Sequence, residues 1–119
     1  MGMPVAAVFA REWIQAWNHR DVESLLSLYA DDVEFRSRLV AKIVGDASGT
    51  ISGKENLRQY FQKAFAAFSG ELGLELTAVY QGVNSVVVLF QVHELKGAEL
   101  MEFNASGAVC RAYAHGQAA

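Results

Sequence analysis

The sequence is poor in the features that would assign a chemistry at sight. It holds one cysteine, Cys110, so no internal disulfide can form and a reducing compartment suits the chain. It has no excess of basic residues: 10 lysines and arginines stand against 13 aspartates and glutamates, for a net charge of −3. Without a basic run to neutralise phosphates, a nucleic-acid partner is not expected. No stretch approaches the roughly 20 apolar residues needed to span a bilayer, so no membrane partner is expected either. The segment Met1 to Val8 lacks the charged start and apolar core of a signal peptide, which points to a cytoplasmic domain. His19, His93 and His115 have no ligand spacing and no cysteine pair beside them, so neither a metal nor another cofactor is implied. The glycine-containing segment Gly45 to Gly49 has no phosphate-loop pattern. There is no internal repeat and no linker.

Apolar side chains are plentiful. At 119 residues the chain fits one domain, 1–119, yet 52% of it is hydrophobic and only 19% charged. A single small core does not need that much, and the surplus can line an internal pocket or cover a subunit interface. Phe9, Trp13, Ala16 and Trp17 recur at the spacing of one helical face, which predicts a first helix from about Val5 to Trp17. Asn18-His19-Arg20 breaks it. Asp21 is placed to cap a second, short helix with Leu25, Leu28 and Tyr29 inside. Asp31-Asp32 reads as the turn ending that helix, where solvated capping is a simpler role for two carboxylates than catalysis. Val33-Glu34-Phe35-Arg36-Ser37 then alternates as a half-buried strand with Val33, Phe35 and Ser37 inward. Leu39 to Val44 reads as a short strand, followed by a loop at the rim. Ser52 and Glu55 fit a capping box at the start of a third helix, with Leu57, Tyr60, Phe61, Ala64, Phe65 and Phe68 on one stripe.

The rest reads as β: Leu74 to Gln81, Ser85 to Glu94, Glu99 to Phe103 and Val109 to His115, with turns at 82–84, at Lys96-Gly97 and at 104–107, and a tail over 116–119. Four strands joined by short turns make an antiparallel meander, and the fold class is α+β. Val86 to Phe90 is apolar on both faces, so one face should cover the helices and the other meet a second copy of the chain. A four-residue hairpin loop would pair Phe103 with Ala108, Met101 with Cys110 and Glu99 with Ala112. Cys110, Ala112 and Ala114 would then face inward, with Arg111, Tyr113 and His115 outward. A three-residue loop with a bulge would reverse that face.

The order of these elements, and particular residues within them, resemble a known family. Trp17-Asn18-His19-Arg20-Asp21 followed by Tyr29-Ala30-Asp31-Asp32-Val33 is similar to the opening W/L-N-x-x-D … L-[YF]-A-D-D-[VA]-x-[FW] of SnoaL-like proteins, in the nuclear transport factor 2-like superfamily. Gly53-Lys54-Glu55-Asn56-Leu57 resembles that family's G-[KR]-x-x-[IL] helix start, and Phe103 to Gly107 its F-x-x-D/S-G hairpin. The resemblance implies a cystatin-like cone: three helices from the N-terminal half packed in a strongly curved, mainly antiparallel sheet. The superfamily includes isomerases, cyclases, hydrolases and domains that only bind or dimerise, so the fold does not choose among them.

Ketosteroid isomerases of this superfamily use an Asp base, with a Tyr and a protonated Asp donating to the oxyanion. Carried over by position, the base falls on Ser37, the phenol on Trp13 and the second acid on Glu99. That mechanism is therefore not expected here. Glu99 is the candidate catalytic residue, because an acid facing inward among Phe90, Met101 and Phe103 should be partly neutral at working pH. Near the mouth of the cone it would instead be solvated or paired with Lys96. Trp13, Phe35, Ser37, Phe65, Phe90, Met101 and Phe103 are the expected lining of an apolar pocket for a small hydrophobic ligand. Two functions follow. In one, the pocket hosts acid–base chemistry of isomerase, cyclase or hydrolase type. In the other, the domain binds a ligand or dimerises without turnover, its interior filled by its own aromatics.

Overall fold

A computed structural model describes residues 4–117. The chain forms α1 (Ala6–Asn18), α2 (Val22–Leu26), β1 (Tyr29–Arg36), α3 (Arg38–Val44), β2 (Thr50–Ser52), α4 (Lys54–Ala67), β3 (Glu75–Gly82), β4 (Ser85–Val92), β5 (Leu95–Phe103) and β6 (Val109–Gly116). The strands make one open sheet in the order β2-β1-β6-β5-β4-β3. Every neighbouring pair is antiparallel except β1 with β6, which run parallel. One face of this sheet packs on α1 and α4 through a single core that includes Phe9, Trp13, Tyr29, Phe61, Val88 and Met101. The architecture is the α+β cone that the sequence predicts, with one helix more.

The extra helix is α3, where a strand was expected. Ser37 caps it: its hydroxyl accepts from the Leu39 N–H at 3.1 Å. Gly45, at φ 84°, closes it in the left-handed conformation. The run Leu39 to Val44 is apolar enough for either structure, and the two terminal signals decide it. Ser37 accordingly sits beyond β1 as a cap instead of extending the strand's inner face.

The second helix is shorter than expected, and Tyr29, Asp31 and Asp32 belong to β1. A register shift between Tyr29 and Glu34 breaks the alternation there, so two buried residues are followed by two exposed aspartates. Asp21 does cap α2, accepting from Ser24 N–H at 3.1 Å. The capping box at Ser52 and Glu55 does not form. Ser52 is held in β2 opposite Glu34, Gly53 turns into α4 at φ 88°, and Glu55 pairs with Arg58 at 3.2 Å. Phe68 falls just past α4 and is exposed.

In the meander, the turn placed at Lys96-Gly97 lies three residues earlier, at His93-Glu94. His93 takes φ 54°, and both Lys96 and Gly97 are inside β5. The final strand reaches Gly116, so the tail begins later than expected, and residues 118–119 of it lie outside the described residues. The β5–β6 hairpin pairs Phe103 with Val109, Met101 with Ala112 and Glu99 with Ala114, with a register shift between Glu102 and Phe103. The bulge keeps Ala112 buried and Arg111 exposed as expected, but takes Cys110 off the inner face. Its thiol is half-buried, 3.5 Å from the Glu102 carbonyl. Asn104 secures the loop by accepting from Ser106 N–H and Ala108 N–H, each at 3.0 Å.

Candidate functional site

β5 carries Gly97, Glu99, Met101 and Phe103 on the face that covers the helices. Glu99 lies in the middle of the sheet, between Val88 of β4 and Ala114 of β6. It is 3% exposed, the one charged residue type buried among the described residues. Its Oε2 has no hydrogen-bond partner there. A carboxylate in such a place would lose its hydration and gain nothing in return, so burial pushes its pKa up to about 8. At neutral pH Glu99 is a carboxylic acid.

Two phenols lie near enough to feel its charge. Tyr29, from the start of β1, is buried and accepts from Trp13 Nε1–H at 3.1 Å. Burial holds its pKa well above the usual range, and the nearby Glu99 adds to that, while the Trp13 bond works in the opposite direction. Tyr60, from α4, is pushed up to about 12, again by burial first, with the Ser37 hydroxyl lowering it and Glu99 raising it. Ser37, Tyr60, Glu99, Tyr29 and Trp13 therefore form a polar seam through an apolar interior. Both phenols stay neutral over the range in which Glu99 can exchange its proton. Within it Glu99 can donate a hydrogen bond to a carbonyl or hydroxyl oxygen, and near pH 8 it can give or take a proton.

The remaining expected lining residues are in the same core, packed against one another. Trp13 and Phe90 have ring centroids 5.4 Å apart, Phe35 packs on Tyr60 at 5.4 Å, and Phe103 meets Phe9 edge-on at 5.1 Å. Phe65 lies against Trp17 at 5.0 Å, and Met101 is wholly buried. Phe90 and Ser37 are the two of the seven that reach solvent in part. Phe90 lies over Gly97, where a Cβ would stand 2.3 Å from its ring. A surface concavity of about 280 Å³ lies between α1 and α2 beside His19 and Ser24. Another, of about 610 Å³, opens where β1 and β6 end against α3, and Ser37 is the only expected lining residue in it. His93 and His115 are exposed, as are Asp31 and Asp32. The contribution of Tyr60 was hidden in the sequence, because it shares one helical stripe with Phe61, Ala64 and Phe65 and reads as core.

The chain matches the model of the SnoaL-like domain over residues 10–117. No curated protein matches it. Among solved structures, a SnoaL-like protein of unknown function from Burkholderia thailandensis is 34% identical, with a TM-score of 0.87 over 94% of this chain and 93% of that one. A steroid delta-isomerase from Pseudomonas aeruginosa is 21% identical, with a TM-score of 0.71 over 98% of this chain and 85% of that one. A protein with a cystatin-like fold from Silicibacter pomeroyi is 15% identical, with a TM-score of 0.71 over 91% and 72%. The last two show likeness of fold alone. The family model and the Burkholderia structure agree over nearly the whole length, and the chain belongs to the SnoaL-like family.

Proposed function

We propose that the domain binds a small hydrophobic molecule against the polar seam, and that Glu99 acts there as the proton donor and acceptor. One observation carries this reading: a fully buried carboxyl oxygen without a partner, in a carboxylic acid whose pKa of about 8 lies within working range. An unpaired polar atom in a core costs stability, and such groups concentrate where a ligand completes them. By the family resemblance Ser37 and Trp13 take the places of an acid and a phenol in the superfamily's isomerases, so the supported chemistry is narrower than theirs. A single acid can polarise an oxygen and shuttle one proton. The test is a thermal-shift screen with steroids, aromatic polyketide analogues, terpenoid epoxides and fatty acids, repeated with Glu99→Gln. A ligand should raise the melting temperature of the parent protein by mass action and raise that of the variant less. Absence of any shift, or equal shifts in both proteins, overturns the reading.

A second reading, association without turnover, has its own support in the outer face of the sheet. Tyr80, Val87, Leu100 and Tyr113 stand side by side across β3, β4, β5 and β6. Tyr80 is 62% exposed, and the other three are half-buried. This apolar row fits a homodimer through the outer face. Sedimentation should give a dimer at micromolar concentration and a monomer for Leu100→Lys. A monomeric parent protein refutes the assignment.

A further inference from the structure

The concavity of about 610 Å³ at the ends of β1 and β6 has a one-sided charge. Arg36, Arg38, Lys42 and His115 line it, and none of its lining residues is acidic, although the chain as a whole carries a net charge of −3. Two nearby carboxylates are already engaged. Glu34 pairs with Arg36 at 3.1 Å, and Asp46 accepts from Ser48 N–H at 2.9 Å. Arg38 and Lys42 have no ion pair among the described residues. They stand four apart on α3, on one side of the helix, where like charges repel. Beside Ser37 and Ser48, the wall carries Ala41, Ala47, Ala114, and Tyr113 with the Arg36 guanidinium 5.2 Å from its ring centre. A cationic rim over an apolar wall is the complement of an organic anion.

The concavity also adjoins the polar seam. Ala114 is the direct neighbour of Glu99 across the β5–β6 ladder, and Ser37, which acts on Tyr60, forms part of the wall. We propose that this concavity binds a small organic anion, its charged group held by Arg38 and Lys42 and its apolar body lying along Ala41 and Ala114 towards Glu99. Binding of the anion stands on the concavity itself; the approach of its body to Glu99 rests on the function proposed above. The ligand class is thus a carboxylate or phosphate on an aromatic or alicyclic body, not a wholly uncharged hydrophobe.

Calorimetric titration with 2-naphthoate, its uncharged counterpart 2-naphthamide, and inorganic phosphate tests this directly. The parent protein should bind 2-naphthoate more tightly than either of the others. Arg38→Gln/Lys42→Gln should weaken 2-naphthoate about ten-fold, the combined effect of two exposed charge contacts, and leave 2-naphthamide unchanged. Both positions are exposed or on the rim, and an unchanged melting temperature confirms that the variant folds. Equal affinity for acid and amide, or an undiminished affinity in the double variant, overturns the anion site. Phosphate binding as tightly as 2-naphthoate overturns the role given to the apolar wall. Glu99→Gln separates the two proposals. With Glu99 ionised above pH 8 the parent should lose 2-naphthoate affinity through like-charge repulsion, and the variant should not. Tyr29 and Tyr60, the other titratable groups facing Glu99, remain neutral there. If the charge deletions act as expected but Glu99→Gln leaves the pH dependence unchanged, the anion site stands and the placement of its body against Glu99 fails.

Discussion

Replacing Glu99 by Gln should change how stability depends on pH, and the size of the effect follows from the burial of one carboxyl. In the unfolded chain the group titrates near 4.5; in the fold it titrates at about 8. Between those values the unfolded state has released its proton and the native state still holds it. Unfolding then releases a proton, so stability falls as pH rises, by about 1.4 kcal/mol per pH unit. The ionisation of Glu99 thus costs nothing below pH 4.5 and roughly 5 kcal/mol once pH has passed 8, a large fraction of the stability of an ordinary domain. Gln has nearly the same shape and does not titrate. Urea unfolding followed by circular dichroism at pH 5, 7 and 9 should show a steep decline for the parent protein and a much flatter curve for Glu99→Gln. The difference between the two curves isolates this group, because Asp21 and Asp46, whose hydrogen bonds with Ser24 and Ser48 lower their pKa values, are common to both. Parallel curves would refute the reasoning: Glu99 would then have to be hydrated or paired in the fold.

Two further substitutions probe the surroundings of that acid. Tyr29→Phe removes the acceptor of the Trp13 indole N–H and leaves a buried donor unpaired, which should cost about 1–3 kcal/mol in urea unfolding; a loss below about 0.5 kcal/mol would mean that the Trp13–Tyr29 bond contributes little. Gly97→Ala puts a Cβ where the Phe90 ring lies, 2.3 Å from its nearest atom, and should cost about 1–3 kcal/mol by overpacking. Combined with Phe90→Ala, most of that penalty should vanish, giving a coupling of at least about 0.5 kcal/mol. Strict additivity would show that the two residues do not compete for the same space.

The sequence spoke most clearly where a periodic pattern and a terminal signal agreed. α1 and α4 have both an apolar stripe and a break behind it, and the meander strands are separated by residues suited to turns. It spoke least clearly where one residue type serves two structures. Leu39 to Val44 is apolar and partly β-branched, and only the hydroxyl of Ser37 and the left-handed Gly45 turn it into a helix. Tyr29 to Asp32 has no period of two because β1 is irregular there, so its register with β6 could not be read from alternation. The sequence allows two registers for the hairpin before β6, and the bulge at Glu102 and Phe103 makes a third, with Ala112 still inside but Cys110 displaced. A one-residue insertion in a ladder leaves no mark on composition. Inward placement of Glu99 was readable from its alternation with Met101 and Phe103. Its phenolic neighbours were not, since Tyr29 and Tyr60 come from other elements and meet it only once the sheet folds over α4.

The geometry of the seam also limits what chemistry the proposed function can include. The Ser37 hydroxyl accepts from Leu39 N–H as the cap of α3, and the Trp13 indole N–H is given to Tyr29. Both groups are thus already occupied in holding the fold. The buried Oε2 of Glu99 has no such partner and is open to a ligand. A site with one acid cannot withdraw a proton at one end of a substrate while a second, independent acid supplies one at the other. It can return to a substrate the proton it has taken, or hold an oxygen without any transfer. On the proposed reading, then, a turnover that conserves the substrate's protons, as an isomerisation does, suits this interior better than a hydrolysis that needs water activated and a leaving group protonated together. The closed packing of Trp13, Phe35 and Met101 keeps bulk water from the acid and so maintains the raised pKa on which either use of Glu99 depends.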